Sequence, residues 1–162
     1  MLDCLVGSEM CIRDRLRSDK IDVIATDHAP HTFNEKNQLY VDCPSGGPLV
    51  QHSLYIMYEH FLEKRISLEK IVEKMCHNPA ILFNIKKRGF IREGFFADLV
   101  ILRKNQSWVI NKNNILYKCG WSPFEGKKIN SMITHTFVSG NLAYENGVFN
   151  QNIMGKKIEF IS

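Results

Sequence analysis

Hydrophobic positions follow two different rhythms along this chain. Residues 21–26 (IDVIAT) form a short run rich in β-branched side chains with polar neighbours on both sides. Such a run reads as a strand buried on both faces, as in a parallel sheet. Residues 27–48 are rich in Pro, Gly, Asn and Asp and read as a long loop; loops of that length in compact domains usually carry function. Over 49–64 the apolar residues Leu54, Met57, Tyr58, Phe61 and Leu62 recur at helical spacing. Ser67 is a good N-cap for a second helix, with Glu69 in its first turn, running to about Cys76. Asn78 and Pro79 suit the N-cap and first position of a third, short helix ending near Asn84. After Gly89 the texture changes to short β-type runs separated by turn residues. Residues 96–102, 107–110, 132–138 and 142–144 are β-type runs, and Ser139–Gly140–Asn141 suits a hairpin turn. The order is therefore strand, long loop, helices and an all-β tail, with the boundary near Arg88–Gly89.

Composition narrows the class. The chain has 162 residues, 44% of them hydrophobic, with a net charge of +4. No stretch approaches the roughly 20 apolar residues of a membrane helix. The basic pairs are short and dispersed, which argues against a nucleic-acid footprint. The five cysteines (4, 11, 43, 76 and 119) are odd in number and lack a CxxC pair. That pattern fits reduced thiols in the cytoplasm better than a disulfide framework or zinc ribbon. Cys76 and Cys119 read as small core residues, and the stripe Tyr55, Tyr58 and Phe61 as core. His52, His60 and His77 read as exposed or satisfied helix histidines, His135 as structural, and Trp121, Pro123 and Phe124 as an aromatic packing turn.

Residues 5–14 (LVGSEMCIRD) break from the pattern that follows. They can be back-translated as CTC GTG GGC TCG GAG ATG TGT ATA AGA GAC, which resembles one frame of a transposase-type sequencing adapter. Residues 1–15 are therefore expected to be non-native, with native sequence starting near Leu16 and an open reading frame truncated upstream.

The chemistry concentrates at TDHAPH, where the run 21–26 ends in Thr26, Asp27 and His28 and, past Pro30, His31. A carboxylate at the C-terminal end of a parallel strand is where barrel enzymes hold catalytic groups. It can bind a divalent metal and accept a proton from a metal-activated water. Histidine serves as a zinc ligand or as a donor to a substrate carboxylate. Pro30 keeps residues 28–31 off a regular helix, so the H-x-x-H spacing is not that of a zincin helix. An Asp–His pair in this place can also simply cap a loop or satisfy backbone donors.

IDVIATDHAPHT, Glu35–Lys36 and PSGGP (44–48) resemble the eighth strand and following loop of the dihydroorotases, metal-dependent cyclic amidases of the amidohydrolase superfamily. MCHNPAILFNI (75–85), RGFIREGFFADLVIL (88–102), KCGWSPFEG (118–126) and THTFVSGNLAYENG (134–147) extend the resemblance from Leu16 to the end. It implies an α/β fold: the last strand and helices of a TIM (β/α)8 barrel over 16–88, and the C-terminal part of a small β-sandwich over 89–162. It implies that Asp27 is a metal ligand and the catalytic proton shuttle. His31, Ser45 and Gly46 would bind substrate, and His28 would have a packing role. Gln51 stands where many relatives have Glu, a change expected to affect packing only.

The cofactor implied is zinc, one or two ions, with the remaining ligands upstream. The reaction implied is the reversible hydrolysis of L-dihydroorotate to N-carbamoyl-L-aspartate in pyrimidine biosynthesis. The expected partners are that small-molecule substrate and, as options, a homo-oligomer or aspartate transcarbamoylase; no nucleic acid or membrane is expected. Two alternatives stand beside it. One is another cyclic amidase, an allantoinase or hydantoinase. The other is a non-catalytic dihydroorotase-like partner of aspartate transcarbamoylase. No H-x-H occurs in the chain, and the fragment alone is expected to be inactive.

Overall fold

A computed structural model describes residues 9–161. Residues 1–8 of the segment expected to be non-native lie outside the described residues, and its remainder belongs to helix α1, Glu9–Arg17. Then follow α2 (Phe33–Lys36), α3 (Ser53–Leu62), α4 (Leu68–Val72), a π-turn (Glu73–His77) and α5 (Asn78–Leu82). Among the described residues four strands follow: β1 (Leu99–Val109), β2 (Lys128–Val138), β3 (Asn141–Glu145) and β4 (Val148–Phe149). The fold is mixed helix and strand. No helix among the described residues is long and apolar enough to cross a membrane.

The residues group into two compact units. One comprises the segment ending at Ile24, His60–Leu102 and the segment from Ile133 onward; the other comprises Ala25–Glu59 and Arg103–Met132.

In the first unit, Ser67 caps α4 as its sequence position suggests, its hydroxyl accepting from the Lys70 N–H at 3.2 Å. The helix does not stop near Cys76. Pro79 has no N–H to donate one turn back, and the ladder adjusts by the wider π spacing, with the Asn78 N–H reaching Glu73 O. The second and third expected helices are thereby joined. Asn78 is not an N-cap; its side-chain amide instead donates to Asp22 O at 2.8 Å. Cys76, within the turn, is exposed rather than in the core. Ile66, Ile71 and Ala80 are buried. Lys74 is buried as well, with its ammonium 2.9 Å from Asp19 Oδ1.

Residues 21–26 form no ladder strand among the described residues. A parallel strand exists only by pairing with neighbours. Here the backbone bonds go elsewhere, Ile24 N–H donating to Lys74 O at 3.0 Å.

The strands form one sheet in the order β1-β2-β3-β4, with β2–β3 and β3–β4 antiparallel. Runs 96–102 and 107–110 merge into β1, through Asn105 at φ +61°. The hairpin turn lies at Ser139–Gly140, between the paired Val138 and Asn141. Both turn residues have positive φ (+52° and +85°), as a type I′ turn demands. Asn146–Gly147 makes the next such turn and leads into β4.

The second unit has its core around Tyr55, Tyr58, Ile110 and Ile129, all buried, so the tyrosines of the stripe are core. Tyr55 meets Trp108 edge to face at 5.2 Å. Glu59 is also buried, and its two carboxylate oxygens accept from Asn130 N–H and Nδ2–H at 2.7 and 2.8 Å. His52 is fully buried, neither exposed nor satisfied. Its Nδ1 lies 3.1 Å from Ser122 Oγ, and its Nε2 has no hydrogen-bond partner among the described residues.

Candidate active site

The loop from Asp27 to Pro48 closes on itself. His28 and Gly47 form a parallel bridge, and the Ala29 N–H donates to Gly47 O at 3.0 Å. The loop is therefore long in sequence but short in span, and its two ends lie side by side. Gly46 makes this possible. Its φ is +83°, and a Cβ there would fall 2.7 Å from Ala29 Cβ and 3.9 Å from Asp27 O. Only glycine fits such a backbone at so close an approach. The loop also holds a helical turn that its T-x-x-E spacing announces. Thr32 caps α2, and the Thr32 N–H and hydroxyl both donate to Glu35 at 2.6 and 2.7 Å. Those bonds, the hydroxyl first, hold the Glu35 carboxyl below the usual carboxylate range, with a smaller contribution from nearby His31. Lys36 Nζ ties the turn back to Pro44 O at 2.5 Å.

Asp27 sits at the start of this loop with φ +44°. Its carboxylate is exposed and makes no hydrogen bond or ion pair among the described residues. Aspartate tolerates the left-handed region better than most residues, yet such a backbone still costs energy and persists only where its surroundings enforce it.

His28 faces the other way. Its Nδ1 accepts from the Leu49 and Val50 N–H groups at 3.1 and 3.5 Å, and its ring packs on Tyr117 at 5.3 Å. That nitrogen is occupied by backbone donors, so His28 holds the loop closed. The His31 ring is half-buried and makes no hydrogen bond among the described residues; its carbonyl accepts from Trp121 Nε1–H at 2.8 Å. Ser45 and Gly46 are exposed at the loop's far end, which the bridge brings back beside Asp27. The structure thus brings Asp27 and Gly46 together, whereas no hydrogen bond joins Ser45 or the His31 ring to Asp27.

Sequence reasoning missed two contributors. Trp121, read as packing alone, donates to the motif's backbone. Gln51 bolts a distant segment to the start of α3: its amide donates to Asn114 O and accepts from Leu116 N–H, both at 2.8 Å. A glutamate at 51 could accept but not donate, so here the side-chain amide has a use of its own.

A model of the amidohydrolase family matches residues 7–143. This chain belongs to the amidohydrolase family. An amidohydrolase relative, the dihydroorotase of Clostridioides difficile strain 630, is 35% identical over 134 residues, covering 82% of this chain and 31% of that protein. The multifunctional protein pyr1-3 of Dictyostelium discoideum is 35% identical over 129 residues, covering 80% of this chain and 5% of its own length. Among solved structures, the D-hydantoinase (dihydropyrimidinase) from Thermus sp. superposes with a TM-score of 0.81 at 24% identity, over 93% of this chain and 33% of that one. The chain therefore spans about a third of the dihydroorotase and hydantoinase chains it matches, and the hydantoinase likeness concerns fold alone.

Amidohydrolases are generally metal-dependent enzymes. The residues described do not complete a metal centre: zinc takes about four ligands, and among the described residues no group of three His, Cys, Asp or Glu is arranged to hold an ion. The Asp27 carboxylate and the His31 ring have no hydrogen-bond partner among the described residues, while His28 Nδ1 is committed to the backbone.

Proposed function

We propose that this chain is the C-terminal share of a dihydroorotase, which interconverts L-dihydroorotate and N-carbamoyl-L-aspartate in pyrimidine biosynthesis. In this reading residues 16–88 supply the last strand, substrate loop and helices of a TIM barrel, and 89–162 the end of a small β-sandwich. Residues 1–15 are foreign to it. The observation that supports it most is the closed loop that presents an unpartnered Asp27 carboxylate beside Gly46. The 35% identity to a dihydroorotase supports the same substrate.

Opening the ring adds water across an amide and breaks its C–N bond, so the leaving nitrogen needs a proton. Asp27 accepts a proton from the attacking water and returns it to that nitrogen. The substrate is an anion, and His31 and the backbone N–H groups at Ser45–Gly46 hold its carboxylate and ring. The metal of the parent enzyme is zinc, with Asp27 as one ligand and the others on other parts of a longer chain. The setting is the cytoplasm, and an association with aspartate transcarbamoylase fits the multifunctional relative.

The test uses a full-length parent enzyme, assayed on dihydroorotate, hydantoin and allantoin. Turnover of dihydroorotate is expected, with Asp27→Ala abolishing it and His31→Ala raising KM. Near-normal turnover in the Asp27 variant, or preference for hydantoin or allantoin, overturns the assignment. The 162-residue chain alone is expected to show neither stoichiometric zinc nor turnover.

A further inference from the structure

We propose that Tyr117 and Trp121, the two aromatic ends of one turn, are positioning residues that brace the Asp27–His31 segment at both of its histidines. This rests on the reading that Asp27 and His31 serve the reaction.

Asp27 holds a left-handed backbone with no bond from its own side chain. Something on either side must therefore keep it there. On one side, the Tyr117 ring lies on the His28 ring at 5.3 Å and 34°. His28 can then offer Nδ1 to the Leu49 N–H at 3.1 Å. On the other side, Trp121 Nε1–H donates to His31 O at 2.8 Å. The Trp121 ring also covers Gly47, where an added Cβ would lie 3.7 Å from Cη2. Both contacts reach the motif across the closing bridge between His28 and Gly47.

The turn is itself fixed, so the brace has something to push against. Gly120 N–H closes it onto Tyr117 O at 3.0 Å. The Tyr117 hydroxyl accepts from the Gln51 N–H at 2.7 Å, and the Tyr117 ring meets buried His52 edge to face at 5.7 Å. Gln51 in turn holds the preceding residues 114 and 116 through its side-chain amide. Tyr117 thus links the rigid start of α3 to the catalytic loop.

Two conservative variants separate bracing from bulk packing. Trp121→Phe keeps an aromatic ring in the turn and removes the Nε1–H donor, together with the Cη2 contact at Gly47. Tyr117→Phe keeps the tilted ring contact with His28 and removes the acceptor for Gln51. Amide hydrogen exchange is read in this chain at Ala29 and His31, with Ile110 as the reference because it is fully buried in the same unit and its N–H donates to Lys127 O at 3.0 Å. In Trp121→Phe, exchange at Ala29 and His31 is expected to rise about tenfold, the worth of one hydrogen bond, with Ile110 unchanged. In Tyr117→Phe the same is expected at Gln51. Unchanged rates at those amides overturn the proposal. So does a parallel rise at Ile110, which would mark general destabilisation. In the full-length enzyme, Trp121→Phe should raise KM for dihydroorotate through His31 and lower kcat through Asp27; a variant that changes neither overturns the positioning role. The exchange readout does not depend on turnover. Failure of the brace is therefore distinguishable from failure of the assignment of Asp27, which the Asp27→Ala assay reads.

Discussion

Replacing Gly46 by alanine tests whether the loop closure is as tight as its geometry states. Two costs add. The backbone cost follows from φ +83°: an L-residue in the left-handed region loses about 1–2 kcal/mol. The steric cost follows from the 2.7 Å approach to Ala29 Cβ, a separation that real methyl groups do not sustain. Forcing an extra methyl into a packed position costs about 1–3 kcal/mol. The site is partly solvent-exposed and Ala29 has some room to yield, so the lower half applies and the sum is about 2–3 kcal/mol. Gly126 provides the control, since it has the same φ of +83° and nothing within 4 Å of its added Cβ. Gly126→Ala should therefore cost the backbone part alone, about 1–2 kcal/mol. Both glycines belong to the same compact unit, so their urea-unfolding free energies are comparable. Adding Ala29→Gly to Gly46→Ala should return the steric part and leave the backbone part. Equal losses for the two glycine variants, or no rescue by Ala29→Gly, would refute the close approach of the loop ends.

Two further outcomes follow from the second unit. Glu59→Ala removes both acceptors of Asn130 and leaves its part-buried N–H unpaired; a loss of about 1–3 kcal/mol is expected by denaturant titration, and a change under 0.5 kcal/mol, the range of an ordinary surface substitution, would rule out the paired geometry. Burial pushes the His52 imidazole below its ordinary value of 6.5. Below that pH the unfolded chain binds a proton that the folded chain refuses, so stability should fall on acidification and be fully present above it. Urea midpoints at pH 7.5 and 5.5 check this; His52→Phe should flatten the difference, and an unchanged slope would show that other groups cause it.

Much of the fold was legible because its signals are local. Ser67 caps α4 through its own neighbour Lys70, and the Ser139–Gly140 turn needs nothing beyond two residues that accept positive φ. The Asn146–Gly147 turn carried the same signal, and the short β4 after it was overlooked, as was the T-x-x-E of Thr32–Glu35. The π-turn was not legible: proline at 79 announces a break, but here the helix continues by widening its ladder and Asn78 bonds to Asp22 instead of capping. The burial of His52 was equally out of reach, since its partner Ser122 lies 70 positions away. Residues 21–26 have the composition of a strand, but composition cannot supply the neighbours a ladder requires.

The candidate site divides along the same line. Asp27 and His31 could be picked out because their residue types and spacing carry chemistry by themselves. What holds them could not, because the donor to His31 is Trp121, 90 positions on. A hydrogen bond to the Asp27 carboxylate itself would have been simpler, but it would have occupied one of its acceptor sites. On the bracing proposal, Asp27 is fixed instead through His28 on one flank and the His31 carbonyl on the other, by groups other than its own carboxylate. The carboxylate is then left without an internal partner. On the proposed reading that division is useful: both carboxylate oxygens stay open to partners outside the chain.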